Sequence, residues 1–230
     1  MSATAATLAA PPRREPPPWV ADVTVSVGPL APAEWAQVAA LLARGMRDNP
    51  LHVAAFGTDP VARQARLERL FGPTLALLDW PQLTARHPDG TLVGVAGLAA
   101  PGACRPTAGQ QLRLIPTLLR LGPRVAGRVG RWQAVWAKHH PRERHWHLGG
   151  TAVDAHLQGL GIGGRLLTAF CAQVDAAGDA AYLETDTARN VRFYARFGFE
   201  VIAEAPVLGV PNWFMRRAPR SVGGGSHHAP

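Results

Sequence analysis

From Val23 to Val27, valines alternate with Thr24 and Ser26, a two-residue period that predicts a strand. Pro32 and Glu34 then open a helix on which Trp35, Val38, Leu41 and Leu42 share one face, and the segment from Arg44 to Pro50 closes it. Thr58-Asp59-Pro60 reads as a cap followed by proline at the first helical position. The helix after it turns Leu67, Leu70 and Phe71 inward and several arginines outward. Pro88-Asp89-Gly90 is a turn between two short apolar runs, Leu83 to Arg86 and Leu92 to Leu98, and predicts a hairpin.

Gln110 to His139 is a long amphipathic stretch broken near Gly122-Pro123. Leu112, Ile115, Leu119, Val125, Val129, Trp132 and Trp136 form its apolar stripe, and the stripe predicts a helix pair that covers a core. Five arginines (113, 120, 124, 128 and 131) form its basic side. His145 to Val153 reads as a strand, Leu160 to Ala177 as a helix and Ala181 to Glu184 as a short strand. Asn190 to Phe197 reads as a helix stopped by Gly198, before two last strands, Phe199 to Glu204 and Trp213 to Arg216. Mixed elements with only one or two crossovers predict an α/β fold: a single domain with a mixed sheet and helices on both faces.

Composition narrows the classes. At 230 residues and 47% hydrophobic, the chain supports one good-sized core. Residues 1–20 read as a flexible arm, 21–218 as the folded domain and 219–230 as a Gly/Ser/His tail. No apolar run is long enough for a membrane span, and the start has no apolar core of a secretory signal. Two cysteines, Cys104 and Cys171, make no disulfide framework, so a cytoplasmic setting is expected. The net charge of +8 is carried almost wholly by arginine, Lys138 being the only lysine. Most of these arginines read as solvated surface charge; nucleic acid is not the expected partner.

The densest chemical signal is QGLGIGG, Gln158 to Gly164, between a strand and an apolar-periodic helix. Glycines let a ligand approach the backbone, and the helix N-terminus offers N–H groups and partial positive charge to phosphate oxygens. A tight turn alone would use fewer glycines. Gly159, Gly161 and Gly164 also fit the dinucleotide fingerprint GxGxxG, with Glu184 near the distance of a ribose-binding acid. Against it, the polar segment Asp154 to Gln158 separates strand from glycine, and no following βαβ half fits in the remaining chain. No Gly-Lys-Ser/Thr follows, which excludes a P-loop.

WHLGGTAVDAHLQGLGIGGRLL, YLETDTARNVRFYARFGFEV and the closing WFMRR together resemble the GCN5-related N-acetyltransferases (GNAT), and within them the branch containing puromycin N-acetyltransferase. The resemblance is specific over Trp146 to Arg217 and looser over Val23 to Ala137. It implies a mostly antiparallel sheet splayed at strands 4 and 5, with acetyl-CoA as cosubstrate. It further implies that backbone groups of Ala152 and Val153 hold the pantetheine arm. Gln158, Gly159, Leu160, Gly161, Ile162, Gly163 and Gly164 would hold the pyrophosphate, and Asn190 would contact the cofactor. Tyr194 matches the tyrosine that reaches the thioester sulfur, and a strand N–H near Val153 would receive developing negative charge.

Amine acetylation needs a proton acceptor and favours a proton donor for the leaving thiolate. A phenol with a pKa of about 10 suits the donor, and Tyr194 is one of only two tyrosines. Glu184, in LETD, is the first candidate base and His147 the second. His145 and His147 alternate with Trp146 and Leu148 and so share a face. The histidines could also gather a metal with His139 or His140, but their spacing matches no recognised zinc pattern and no metal is expected. Asp48 and Asn49 lie in the region that the resemblance places over the acceptor, where an acid could meet a cationic amine. The expected activity is acetyl transfer from acetyl-CoA to a small-molecule primary amine, by a monomer or homodimer. A nucleic-acid binder using residues 110–139 and a nicotinamide-nucleotide enzyme are the competing readings.

Overall fold

The computed structural model describes residues 15–220; residues 1–14 of the expected arm and 221–230 of the expected tail lie outside the described residues. Val20, assigned by sequence to the arm, is buried in a 3-10 turn, Pro18–Asp22. The valine–polar alternation becomes β1 (Thr24–Gly28), the edge of a seven-stranded sheet. α1 (Trp35–Met46) buries Val38, Leu41 and Leu42, as its stripe predicts.

Between the close of the first helix and the Asp59-Pro60 cap, where no element was assigned, the chain forms a further helix, α2 (Pro50–Phe56), which buries Leu51, Ala55 and Phe56. α3 (Pro60–Leu78) starts as expected: the Asp59 carboxylate accepts from the N–H groups of Val61 and Ala62. Not every arginine of α3 faces water. Arg63 points inward and is 4% exposed. Its guanidinium donates to the carbonyls of Arg47, Gly57 and Thr58 and pairs with Asp48 at 2.7 Å. The turns around α2 thus supply the acceptors that water would give an outward arginine.

β2 (Gln82–Arg86) and β3 (Leu92–Ala99) form the predicted hairpin. α4 (Ala108–Arg120) and α5 (Pro123–His139) break at Gly122, φ +92°. The core-covering expectation is met by α5, which buries Val125, Val129 and Trp132. It is not met by the α4 stripe, which leaves Leu112, Ile115 and Leu119 exposed; α4 has no fully buried residue and only Leu118 packs partly against the core. β4 (His145–Val153), α6 (Ile162–Ala177), β5 (Ala180–Thr185), α7 (Ala188–Ala195), β6 (Glu200–Val207) and β7 (Val210–Arg217) complete the chain.

The sheet order is β1-β2-β3-β4-β5-β7-β6, and every neighbouring pair is antiparallel except β4 and β5. α6 packs on one face over Leu83, Ala85 and Leu183, while α1 packs on the other over Val95 and Ala152. This is the expected mixed α/β sheet with helices on both faces. Gly45 seats α1: a Cβ there would lie 2.8 Å from both the Ala152 Cβ and the Val153 carbonyl oxygen.

Two irregularities of β4 shape the site. Its parallel ladder to β5 runs only from His145 to His147, opposite Ala180 to Tyr182, and then stops, so the two strands splay. Against β3, Leu98 pairs with Leu148 and Ala96 with Thr151, so Gly149 and Gly150 together oppose the single Gly97. That bulge resets the phase of the strand. His147, Gly149, Gly150 and Ala152 consequently all face the α1–α3 side.

Candidate active site

The glycine loop enters α6 without a capping side chain, so the first-turn N–H groups have no protein acceptor of their own. Gly159 and Gly161 have φ of +86° and +97°, and a Cβ at either would meet nothing within 4 Å. Glycine is required there for backbone conformation, and the space beside it is open. Uncapped N–H groups, positive helix-end potential and room to approach fit a pyrophosphate. Leu160 and Ile162 turn their side chains into the core, leaving only their backbone to the loop. The Gln158 amide is committed locally, donating to the carbonyls of Gly45 and Val153 at 3.2 Å. The Asp154 to Gln158 connection is a short 3-10 turn held by the Arg44–Asp154 ion pair at 2.7 Å.

The two candidate bases form one unit. His147 Nε2 lies 2.8 Å from Glu184 Oε2, although the residues stand on different strands. The β4–β5 register explains this: His147 sits opposite Tyr182, and Glu184 is the next residue of β5 on that face. The Glu184 side chain is 4% exposed. Donation from Nε2 to the carboxylate fixes the tautomer and leaves Nδ1 with its lone pair, buried and without a partner.

Around the pair stand His140, His145 and Tyr182. His140 Nδ1 is 4.0 Å from Glu184 Oε1. His145 Nδ1 donates to the Glu143 carbonyl at 2.7 Å, so its Nε2 accepts from His140 Nε2 at 3.2 Å. Burial holds the His140 imidazole near a pKa of about 4, with His147 adding to the effect, and burial also lowers that of His145. Burial, reinforced by Glu184, pushes the Tyr182 phenol upward. Cys104, His140 and His145 bring donor atoms within 4.8 Å of one another, although Cys104 was not among the ligands considered from sequence. Their contacts already form a hydrogen-bonded set, with the Cys104 thiol against the carbonyls of Ala100 and His145. His139, also considered a ligand, instead stacks on Phe214.

Tyr194 is not part of this cluster. It is buried between Phe193 and Phe199 in the core beneath α6. Burial, then the Asp186 charge, pushes its phenol up to about 12. Asn190 is half-buried in the first turn of α7. Asp48, considered for an amine, is engaged by Arg47 and Arg63 at 2.8 and 2.7 Å.

Sequence reasoning missed Asp186. Its carboxylate accepts the Leu51 N–H at 2.7 Å, tying α2 to the end of β5, and burial raises its pKa. The available signal was its place in LETD, two residues beyond Glu184.

Residues 124–201 match the family model of the acetyltransferase (GNAT) domain, a span that holds the glycine loop, His147, Glu184 and Tyr194. A Corynebacterium glutamicum protein described as histone acetyltransferase HPA2 and related acetyltransferase superposes with a TM-score of 0.61 at 22% identity, over 86% of this chain and 97% of that one. A Drosophila melanogaster polyamine N-acetyltransferase, which forms N-acetylagmatine, gives 0.55 at 14% identity, over 85% of this chain and 100% of that one. Arylalkylamine N-acetyltransferase 2 from Aedes aegypti gives 0.52 at 13% identity, over 85% and 99%. At these identities the likeness is one of fold, and that fold is the GNAT fold.

Proposed function

We propose that this chain is an acetyl-CoA-dependent N-acetyltransferase that acts on the primary amine of a small molecule. The observation that carries the reading is the juxtaposition at β4. The strand parts from β5 directly after His147, where the Glu184–His147 pair stands, and it leads at its other end into the uncapped, glycine-lined start of α6. The match of residues 124–201 to the GNAT domain supports it. The sequence likeness to the puromycin N-acetyltransferase branch supports a small-molecule acceptor.

In this reading acetyl-CoA supplies an acyl group activated as a thioester. The first-turn N–H groups of α6 and the backbone of Gly159 to Gly164 bind the pyrophosphate. The β5-facing edge of β4 beyond His147, at Ala152 and Val153, borders the pantetheine arm. The Glu184–His147 pair takes the proton that a protonated amine must lose before it attacks. His140 holds no positive charge at neutral pH, so it does not compete with an incoming ammonium for the carboxylate. The transfer forms an N–C bond, breaks a C–S bond and releases one proton. Tyr194, with its phenol held protonated, serves as a hydrogen-bond donor to the departing sulfur more readily than as a full proton donor.

Calorimetric titration with acetyl-CoA, followed by an amine-dependent thiol-release assay, tests the reading. Binding together with amine-stimulated thiol release is the expected result. Absence of acetyl-CoA binding overturns it.

A further inference from the structure

A cavity of about 120 Å³ lies between α1, α3 and the β4 bulge. Leu42, Phe71, Leu75, Leu78 and Trp80 form its apolar wall, and Gly97 and Gly150 form its floor. It adjoins the Glu184–His147 pair, because the Trp80 ring that walls it packs edge-on against the His147 ring, centroids 6.3 Å apart. Gly150 follows directly on the residues where β4 leaves β5. The missing side chains at Gly97, Gly149 and Gly150 matter here. A Cβ at Gly149 would press on the Trp80 ring at 3.3 Å, and one at Gly150 would meet the Leu42 methyl at 3.5 Å.

The polar groups of this cavity are nearly all spent. The Thr74 hydroxyl donates to the Leu70 carbonyl and the Trp80 indole N–H to the Ala103 carbonyl. Gln82 is the exception. Its Nε2 donates to the Trp80 carbonyl at 2.9 Å, which fixes the amide orientation, because the flipped form would set oxygen against oxygen. Its Oε1 is then buried, in a residue 2% exposed, with no donor to satisfy it. A buried acceptor left unpaired is costly, and it becomes favourable when a ligand brings the donor. No residue lining the cavity carries a carboxylate.

On the footing of the acetyltransferase reading, we infer that this cavity takes the acceptor's side chain, and that the preferred acceptor is a primary amine bearing a ring-sized apolar group with one hydrogen-bond donor at its far end. The volume suits one six-membered ring, since an apolar cavity of about 150 Å³ accommodates benzene. The amine is held at the Glu184–His147 pair, the ring lies against Trp80 and Phe71, and the distal donor meets Gln82 Oε1. A polyamine fits poorly, because its second ammonium would enter an apolar wall with no counter-charge.

Four probe amines test this with the full chain and acetyl-CoA: tyramine, phenethylamine, propylamine and spermidine. By kcat/KM, tyramine exceeds phenethylamine by ~10-fold for the satisfied acceptor. Phenethylamine exceeds propylamine by ~10-fold or more for the buried ring. Spermidine falls ~100-fold below tyramine for its uncompensated charge. Gln82→Leu brings the tyramine-to-phenethylamine ratio close to one. Leu75→Trp, which fills the cavity without touching Gln82, lowers the tyramine-to-propylamine ratio and keeps the test alive if Gln82→Leu does not fold. Spermidine matching or exceeding tyramine overturns the inference, as do ratios that neither variant moves or a chain that binds acetyl-CoA yet acetylates none of the ring-bearing amines. Failure of acetyl-CoA itself to bind, read by calorimetry without any amine, separates loss of the underlying acetyltransferase reading from loss of the acceptor assignment.

Discussion

Over its first three residues β4 is paired to β5, with β3 joining at His147, and what it presents is side chains: His145 and His147 project into a buried set with His140, Tyr182 and Glu184. Over its last residues β4 has lost β5, and what it presents is backbone: the bulge at Gly149-Gly150, the edge at Ala152 and Val153, and the glycine loop that follows. One strand thus supplies two kinds of site. Where the β5 ladder holds, the β5-facing backbone is satisfied and side chains are what remains to take part in proton transfer. Where it is broken, backbone groups become available, and the residues there are small enough to let a ligand or a helix approach. On the proposed reading, proton chemistry and cofactor holding are therefore separable, and substitutions at the two ends should read out in different parameters.

The largest separation is expected at Glu184. Glu184→Gln keeps the shape and can still accept from His147 Nε2, which lies 2.8 Å away in the native pair, but it removes the carboxylate proposed to receive the proton. We expect kcat/KM for the amine to fall by about 10²–10⁴-fold, with acetyl-CoA affinity changed less than about threefold. A large loss of acetyl-CoA affinity with kcat preserved would erase the division between the two ends of β4.

The glycine-loop end was the more legible in sequence, for a physical reason. Glycines at 159 and 161 answer a local demand, positive φ at a helix entry, and local demands leave local marks. The Asp59-Pro60 cap, the Pro88-Asp89-Gly90 turn and the Gly122 break were readable on the same ground. The chemical end depends on contacts between segments far apart in sequence. Glu184 and His147 were legible as rival bases, yet their pairing follows from a parallel register that no local pattern encodes. The helix α2 was hidden because seven residues carry a weak period, and its first N–H is held by Asp186 from across the chain. The inward turn of Arg63 was not legible because three of its acceptors are carbonyls of turns rather than acids at helical spacing. Nor does anything beside Gly45 in sequence announce that β4 backbone will press on it.

A pH profile sharpens the comparison only if unfolding is kept apart from loss of the base, and His52 provides the control. It is buried among Phe56, Phe71 and Trp132 with Nδ1 unpartnered, and burial depresses its pKa to about 4 from 6.5. A depressed imidazole pKa means that the unfolded chain takes up the proton first. Stability is therefore full above about pH 6.5, is lost as pH falls towards 4, and is reduced by on the order of 3 kcal/mol once both states are protonated. His52→Phe should flatten the fall in Tm between these pH values, with His140 retaining a share of it. If the acid limb of activity stays in place while the Tm curve flattens, the limb belongs to chemistry at Glu184 and His147. If both move together, it reported unfolding.

The smallest expected effect tests the backbone end alone. Gly161 stands at φ +97°, ψ −10°, and a Cβ there would touch nothing. Gly161→Ala therefore introduces no clash, only the conformational penalty of a left-handed alanine, about 1–2 kcal/mol. The loop either keeps its conformation, and the fold bears that cost, or relaxes, and the uncapped N–H groups proposed to bind the pyrophosphate turn away. Tm and acetyl-CoA affinity tell these apart. We expect relaxation, since the loop is open on that side, giving about tenfold weaker acetyl-CoA binding with kcat at saturation nearly unchanged. Gly127→Ala is the matched control. Gly127 lies exposed inside α5 with nothing within 4 Å of its Cβ position and an ordinary helical φ. The same added methyl should raise stability there by up to about 1 kcal/mol and leave acetyl-CoA binding alone. Equal effects of the two substitutions on affinity would mean that the glycine loop holds nothing, and that β4 ends in a turn rather than a phosphate site.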